Sequence, residues 1–232
     1  MMLHQHPGGL TLTKRMIAAC SFSAESRVLD VGCGAGTTVE YLRKHCGMDA
    51  VGIDLSIERL DQGKKRCGEL PVIYGYCERM PFIDGSFDGV IAECSLSTME
   101  DLEKIMAEMF RLLKPGGKLA VSDLYVKDWK RSSQDCCLPA ITDGQTGYAD
   151  EKNLHVLLAK NDFEIIVWED QSAYLREFTA GYIMKYGFSE DLRPFFPCCN
   201  KFNGFEKEIR RKKLGYFMLV AEKRQERMRS VG

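Results

Sequence analysis

No apolar run in these 232 residues approaches the roughly 18 that a membrane-spanning helix needs, so a bilayer-embedded protein is excluded as a reading. The chain also lacks a surplus of either charge. Lys and Arg total 32 against 33 Asp and Glu, for a net charge of −1, which leaves no broad cationic surface for a phosphate backbone. The basic clusters Lys207 to Lys213 and Lys223 to Arg229 are short and interrupted by acids, and nucleic acid is not an expected partner. Met1 to Leu10 holds His, Gln, Pro and glycines where an export signal would be apolar, so a cytoplasmic location is expected. Ten cysteines are present, but the chain is neither small nor built like a secreted one, so they are expected as thiols. None has C-x-x-C spacing, and no metal site is expected.

What remains is the composition of one soluble domain spanning 1–232, 45% hydrophobic and 28% charged. Short apolar runs alternate with amphipathic stretches. Arg27 to Val31, Ala50 to Ile53, Val72 to Tyr74, Phe87 to Ala92 and Lys118 to Ser122 read as strands, the last after the turn Pro115-Gly116-Gly117. Thr37 to His45, Ile57 to Cys67 and Leu102 to Leu113 read as the helices between them. Leu154 to Lys160 follows as a helix, then Glu164 to Trp168 and Tyr216 to Ala221 as strands. Strands that alternate with helices demand right-handed crossovers, hence an α/β fold with a doubly wound, mostly parallel sheet covered on both faces. The stretch 171–214 is too long for a turn and is expected as a helical cap inserted before the last strand.

The densest chemical signal is Asp30-Val31-Gly32-Cys33-Gly34-Ala35-Gly36, where the first strand hands over to the first crossover helix. Backbone can come close to a ligand there. The spacing is not the G-x-G-x-x-G of a dinucleotide site, which disfavours a nicotinamide-dependent oxidoreductase, and a carboxylate beside the loop opposes a pyrophosphate. Eighteen residues beyond Gly36, Asp54 ends the second strand, placed to accept both hydroxyls of a ribose. The pair predicts a nucleoside joined to a cationic part that carries no phosphate.

With these motifs the chain resembles the class I, Rossmann-like S-adenosylmethionine-dependent methyltransferases over roughly residues 10–170 and the last strand. Further agreement lies in Met80-Pro81-Phe82, in Ser86-Phe87-Asp88 and in Leu113-Lys114-Pro115-Gly116-Gly117. The resemblance implies a seven-stranded sheet with an antiparallel last strand beside the fifth, and S-adenosylmethionine as cofactor. It implies that Gly32, Gly34 and Gly36 make room for the methionine part, that Asp30 lies near its ammonium, that Asp54 holds the ribose and that Leu55 packs on adenine. Many relatives read Gly-Asp-Ala before the Met80 segment, the Asp meeting the adenine amine. Here Gly75-Tyr76-Cys77 stands instead, leaving Glu78 or the amide of Cys77 for that contact.

A sulfonium carries its own driving force, so positioning and exclusion of water are the main demands. Where the acceptor must lose a proton, Glu93 is the candidate base, with Asp123 nearby. Topology gathers Cys33, Cys94, the pair Cys136-Cys137 and the pair Cys198-Cys199 on the edge where ligands bind. Cys136 and Cys137 stand where arsenite methyltransferases, by similarity, carry a metalloid-binding cysteine, and a thiophilic acceptor is one alternative. A protein that holds the cofactor without transferring a methyl group is another. Residues 1–20 are expected as a lid, with Pro7 to Thr13 a glycine-hinged segment ahead of its helix. Tyr174, Phe178, Tyr182, Met184 and Tyr186 are pocket-lining candidates in the cap, and the expected partner is a small-molecule acceptor.

Overall fold

The computed structural model describes residues 6–127, 149–186 and 214–225. Five strands alternate with helices in the first half: β1 (Arg27–Val31), β2 (Asp49–Asp54), β3 (Val72–Tyr74), β4 (Phe87–Glu93) and β5 (Leu113–Val126). The helices α1 (Gly9–Cys20), α2 (Thr37–Cys46), α3 (Ile57–Arg66) and α4 (Leu102–Leu112) accompany them. Then follow β6 (Ala149–Asp150), α5 (Glu151–Lys160), β7 (Phe163–Asp170), α6 (Ser172–Tyr186) and β8 (Leu214–Lys223). The sheet order is β3-β2-β1-β4-β5-β8-β7, with the two-residue β6 paired to β5 off this path. β8 runs antiparallel between β5 and β7, as the resemblance implies.

The local chemistry explains the element ends. Gly36, with φ 68°, turns the chain from the loop after β1 into α2, and Gly47, with φ 72°, stops that helix. Ser56 and Asp101 cap α3 and α4, each side chain accepting from the amide three residues on. β1, β4 and the second half of β5 are buried on both faces, which is why they read as continuous apolar runs. One core joins the sheet to α4 and α5 through Ile105, Met109 and Leu158. The other joins it to α1, α2 and α3 through Leu12, Met16, Val39, Leu42 and Leu60.

Two expectations need amending. Pro115-Gly116-Gly117 lies within β5, where the register against β4 jumps between Phe87 with Leu113 and Gly89 with Lys118; Gly116 takes φ 78° there. The seven strands of the main path are the seven expected, and the two-residue β6 adds only a pairing to β5 off that path. The segment Pro7 to Thr13 does not precede the helix: α1 starts at Gly9, and Gly8 and Gly9 take φ 79° and 45° at its start. The stretch beyond β7 is helical over α6, and the rest of the expected cap falls outside the described residues. Among the described residues no helix is long and apolar enough to cross a membrane.

Strand order reverses between β1 and its neighbours β2 and β4, since the chain leaves β1 for one side and returns to the other. A crevice opens at the carboxyl ends of the strands at such a point.

Candidate active site

A cavity of about 1210 Å³ occupies that crevice, bordered by the loop after β1, the tips of β2 and β4, the segment after β3 and the start of α1. Asp30, Gly32, Gly34, Asp54, Leu55, Cys77, Glu78 and Glu93 all line it. Gly36 stands just behind, and a side chain there would drive into Leu70 at 2.6 Å and Val72 at 2.9 Å. Gly34 differs, because the nearest neighbour of an added methyl group would be the Arg59 guanidinium at 3.6 Å. The backbone is therefore bare at the cavity, while Gly36 serves the packing of the loop on β3.

Asp54 organises the adenosine-sized end. Its Oδ2 accepts from the Gly34 amide at 2.7 Å and its Oδ1 from the Ser56 amide at 2.7 Å, so one carboxylate ties the glycine loop to the start of α3. A carboxylate offers about four acceptor sites, which leaves capacity for two hydroxyls. Leu55 is 49% exposed and Tyr76 59% exposed at this rim, an apolar surface large enough for a purine face. Below them Glu78 has a buried Oε2 with no hydrogen-bond partner. A buried polar atom left in that condition costs about 1–3 kcal/mol, and a donor from a ligand would recover it.

The other end is acidic. Asp30 is 3% exposed, and among the described residues it forms no ion pair. Its carboxyl is held well above the ordinary range, first by burial and then by the Glu93 and Asp54 carboxylates. Glu93 accepts Thr13 Oγ1 from α1 on one oxygen and Thr38 Oγ1 from α2 on the other, both at 2.7 Å. Its role as base is thus crowded, since each oxygen already has a donor. Asp123 is buried behind the β4 tip, accepting from the Ser97 and Leu124 amides at 3.1 and 2.6 Å, and it does not border the cavity.

Cysteine placement is mixed. Cys33 and Cys94 border the cavity as topology required, and Cys77 joins them. Burial, reinforced by Asp30 and Asp54, pushes the Cys33 thiol up, and burial carries Cys77 to about 12. Both are thiols filling small spaces, Cys33 against Gly52. Cys136, Cys137, Cys198 and Cys199 lie outside the described residues. In α6, Tyr174 and Phe178 pack on the core, Tyr182 is buried and Met184 is exposed; none of the four borders the cavity.

Sequence reasoning missed two contributors. His6, given no role of its own within the expected lid, borders the cavity and stands 3.6 Å from Glu93. Gly63, unremarkable within α3, lets the helix approach the loop so closely that an added methyl group would sit 2.4 Å from the Ala35 carbonyl oxygen. Neither left a local signal. The segment leading into β4 proves structural: Arg111 donates to the Met80 and Phe82 carbonyls and pairs with Asp84 and Glu108.

Comparisons with known proteins agree with this geometry. Residues 29–121 match the family described as a methyltransferase domain. A demethylmenaquinone methyltransferase of Renibacterium salmoninarum is 41% identical over 97 residues, 42% of this chain and 40% of that protein. Methyltransferase GfsG of Streptomyces halstedii is 32% identical over 142 residues, 59% of this chain and 50% of that protein. The match thus spans half or less of either relative. Among solved structures, phosphoethanolamine N-methyltransferase 2 of Haemonchus contortus in complex with S-adenosyl-L-methionine superimposes with a TM-score of 0.73 at 19% identity, covering 95% of this chain and 54% of that one. The [4+2]-cyclase SpnF gives a TM-score of 0.68 at 23% identity over 92% and 80% of the two chains. The chain therefore shares the doubly wound α/β fold of these neighbours, and its residues 29–121 match the methyltransferase-domain family.

Proposed function

We propose that this protein is an S-adenosylmethionine-dependent methyltransferase acting on a small-molecule acceptor. One observation carries the reading: Asp30, Asp54 and Glu93 converge on a single cavity whose other end offers an apolar rim above the unpartnered Glu78 oxygen. Such a site favours a ligand that is cationic at one end and a purine nucleoside at the other. A dinucleotide would bring two phosphates to the same carboxylates, at a cost.

The residues fit S-adenosylmethionine in four roles. Asp30 faces the ammonium, Asp54 takes the ribose hydroxyls, and Leu55 supports the adenine ring. Glu78, with the Cys77 amide as the other candidate, reads the adenine amine. When bound, the cofactor supplies an electrophilic methyl group on a sulfonium. The chain's own work is to keep the loop bare, hold the charges in place and exclude water beneath α1. A thiol-dependent acceptor chemistry at Cys136 and Cys137 gains no support from Cys33 and Cys77, which burial keeps protonated. Fold alone does not decide between transfer and its absence, since SpnF is named a cyclase on a similar framework.

The test is a calorimetric titration with S-adenosylhomocysteine beside one with NADH, which shares the adenosine but adds phosphates. Micromolar binding of the first and none of the second is expected. The reverse order, or neither binding, refutes the proposal.

A further inference from the structure

The N-terminal helix reaches the cavity through a contact that the reading above does not use. Thr13 of α1 and Thr38 of α2 each donate to Glu93 at 2.7 Å, pinning the start of α1 over the tip of β4. Three residues ahead of that helix, the His6 side chain is only 12% exposed and borders the cavity beside Gly9 and Leu10. Its Nδ1 lies 3.2 Å from the Pro7 carbonyl oxygen, and its Nε2 lies 3.6 Å from Glu93 Oε1. A loose terminus would leave this ring in water.

A carbonyl can only accept, so a neutral ring that bonds Pro7 carries its hydrogen on Nδ1 and leaves Nε2 as the basic nitrogen. Glu93, whose side chain is 4% exposed, is fixed by two hydroxyls that came from different helices. A fixed carboxylate at that distance lies within reach of the charge that a transferred proton brings to the ring. The arrangement is a base, a group that sets its tautomer, and a group that stabilises its protonated state.

We propose that His6 is the general base of the reaction and Glu93 its positioning residue, and that the acceptor is a protic nucleophile, a hydroxyl or phenol, that must lose a proton. This rests on the methyltransferase reading. The acceptor oxygen forms its bond to the methyl carbon as its hydrogen passes to His6 Nε2. The carbon–sulfur bond breaks with its electron pair staying on sulfur, so the sulfonium charge ends as an imidazolium beside Glu93. An acceptor that arrives as an anion, such as a thiolate, has no use for this base.

The experiment has two readouts on the full chain and its His6→Gln and Glu93→Gln variants. The first is long-range proton–nitrogen correlation of the ¹⁵N-labelled protein with S-adenosylhomocysteine at about pH 8, where a neutral imidazole shows its tautomer. His6 is expected with hydrogen on Nδ1 and a bare Nε2; hydrogen on Nε2 overturns the proposal whatever the activity. The second is methyl transfer to catechol, a hydroxyl probe, and to 4-nitrothiophenol, a thiolate. His6→Gln is expected to lower kcat for catechol about 100-fold or more, and Glu93→Gln by about 10-fold. S-adenosylhomocysteine affinity should stay within about threefold for His6→Gln, and thiolate transfer should fall far less than catechol transfer. Catechol turnover that survives His6→Gln, or wild-type transfer to the thiolate alone, contradicts the assignment. Loss of S-adenosylhomocysteine binding in the wild type would instead count against the underlying cofactor reading.

Discussion

The two ends of the cavity are built in different ways. The Asp54 end is assembled from neighbours in sequence: the loop after β1, the tip of β2 and the segment after β3, held together by Asp54 through the Gly34 and Ser56 amides. The acidic end is assembled from strangers. Glu93 meets Thr13 across 80 residues and Thr38 across 55, and α1 is further tied to the end of β7 by Arg15 on Glu169 and Gln171. The first end is stiff because short loops leave buried strands. The second closes only when distant elements dock, and depends on a few polar contacts.

The sharpest way to break the comparison is at the stiff end. Asp54→Ala removes two amide acceptors and, on the proposed reading, the ribose contacts. S-adenosylhomocysteine affinity should fall about 100-fold, the roughly 3 kcal/mol that hydrogen bonds to a charged group carry. Calorimetry showing less than about a threefold loss would mean that the loop does not depend on this carboxylate.

Asp30→Asn probes how the two ends share charge, and its effects have opposite signs. Burial and the facing carboxylates raise the folded-state titration of Asp30, so its stabilising contribution is present below the ordinary carboxylate range. That contribution is lost as pH rises through the raised value. At neutral pH and without ligand, the Asn variant should therefore unfold at higher denaturant concentration, by about 1–2 kcal/mol, and its stability should fall less as pH rises from about 4. Cofactor affinity should drop about 10-fold in the same variant. A variant less stable than wild type at neutral pH would show that the carboxyl is satisfied in some other way.

Thr13→Val gives the smallest effect and tests the docked end alone. Removing one hydroxyl that donates to Glu93 should cost about 1 kcal/mol of stability. Amide exchange should quicken over Gly9–Cys20 while the glycine loop is unchanged. Equal acceleration at both places would erase the distinction drawn between them.

Legibility in the sequence follows the same line. Asp30, the three glycines and Asp54 could be read because each stands at a strand end, in a run whose spacing carries chemistry. The strand and helix ends were legible because the buried strands are continuous apolar runs and α4 repeats its apolar residues at helical spacing. The docking of α1 left no trace, since a Thr on one helix and a Glu on a distant strand share no local pattern. His6 carries no signal in the sequence for the same reason. Gly63 was missed because a glycine inside a helix announces nothing until the helix is seen against the Ala35 carbonyl. The turn expected at Pro115 became a bulge within β5 because the pairing with β4 resumes at Lys118 and carries the strand through it.

The central claim is that this crevice is made for an adenosyl sulfonium bearing an amino-acid tail. A crystal structure of the complex with S-adenosylhomocysteine tests it most directly. The account predicts the adenine amine within hydrogen-bond distance of Glu78 Oε2 or facing the Cys77 segment, the ribose hydroxyls on Asp54 and the ammonium beside Asp30. A ligand bound elsewhere, or turned so that its carboxylate meets Asp30, would contradict it.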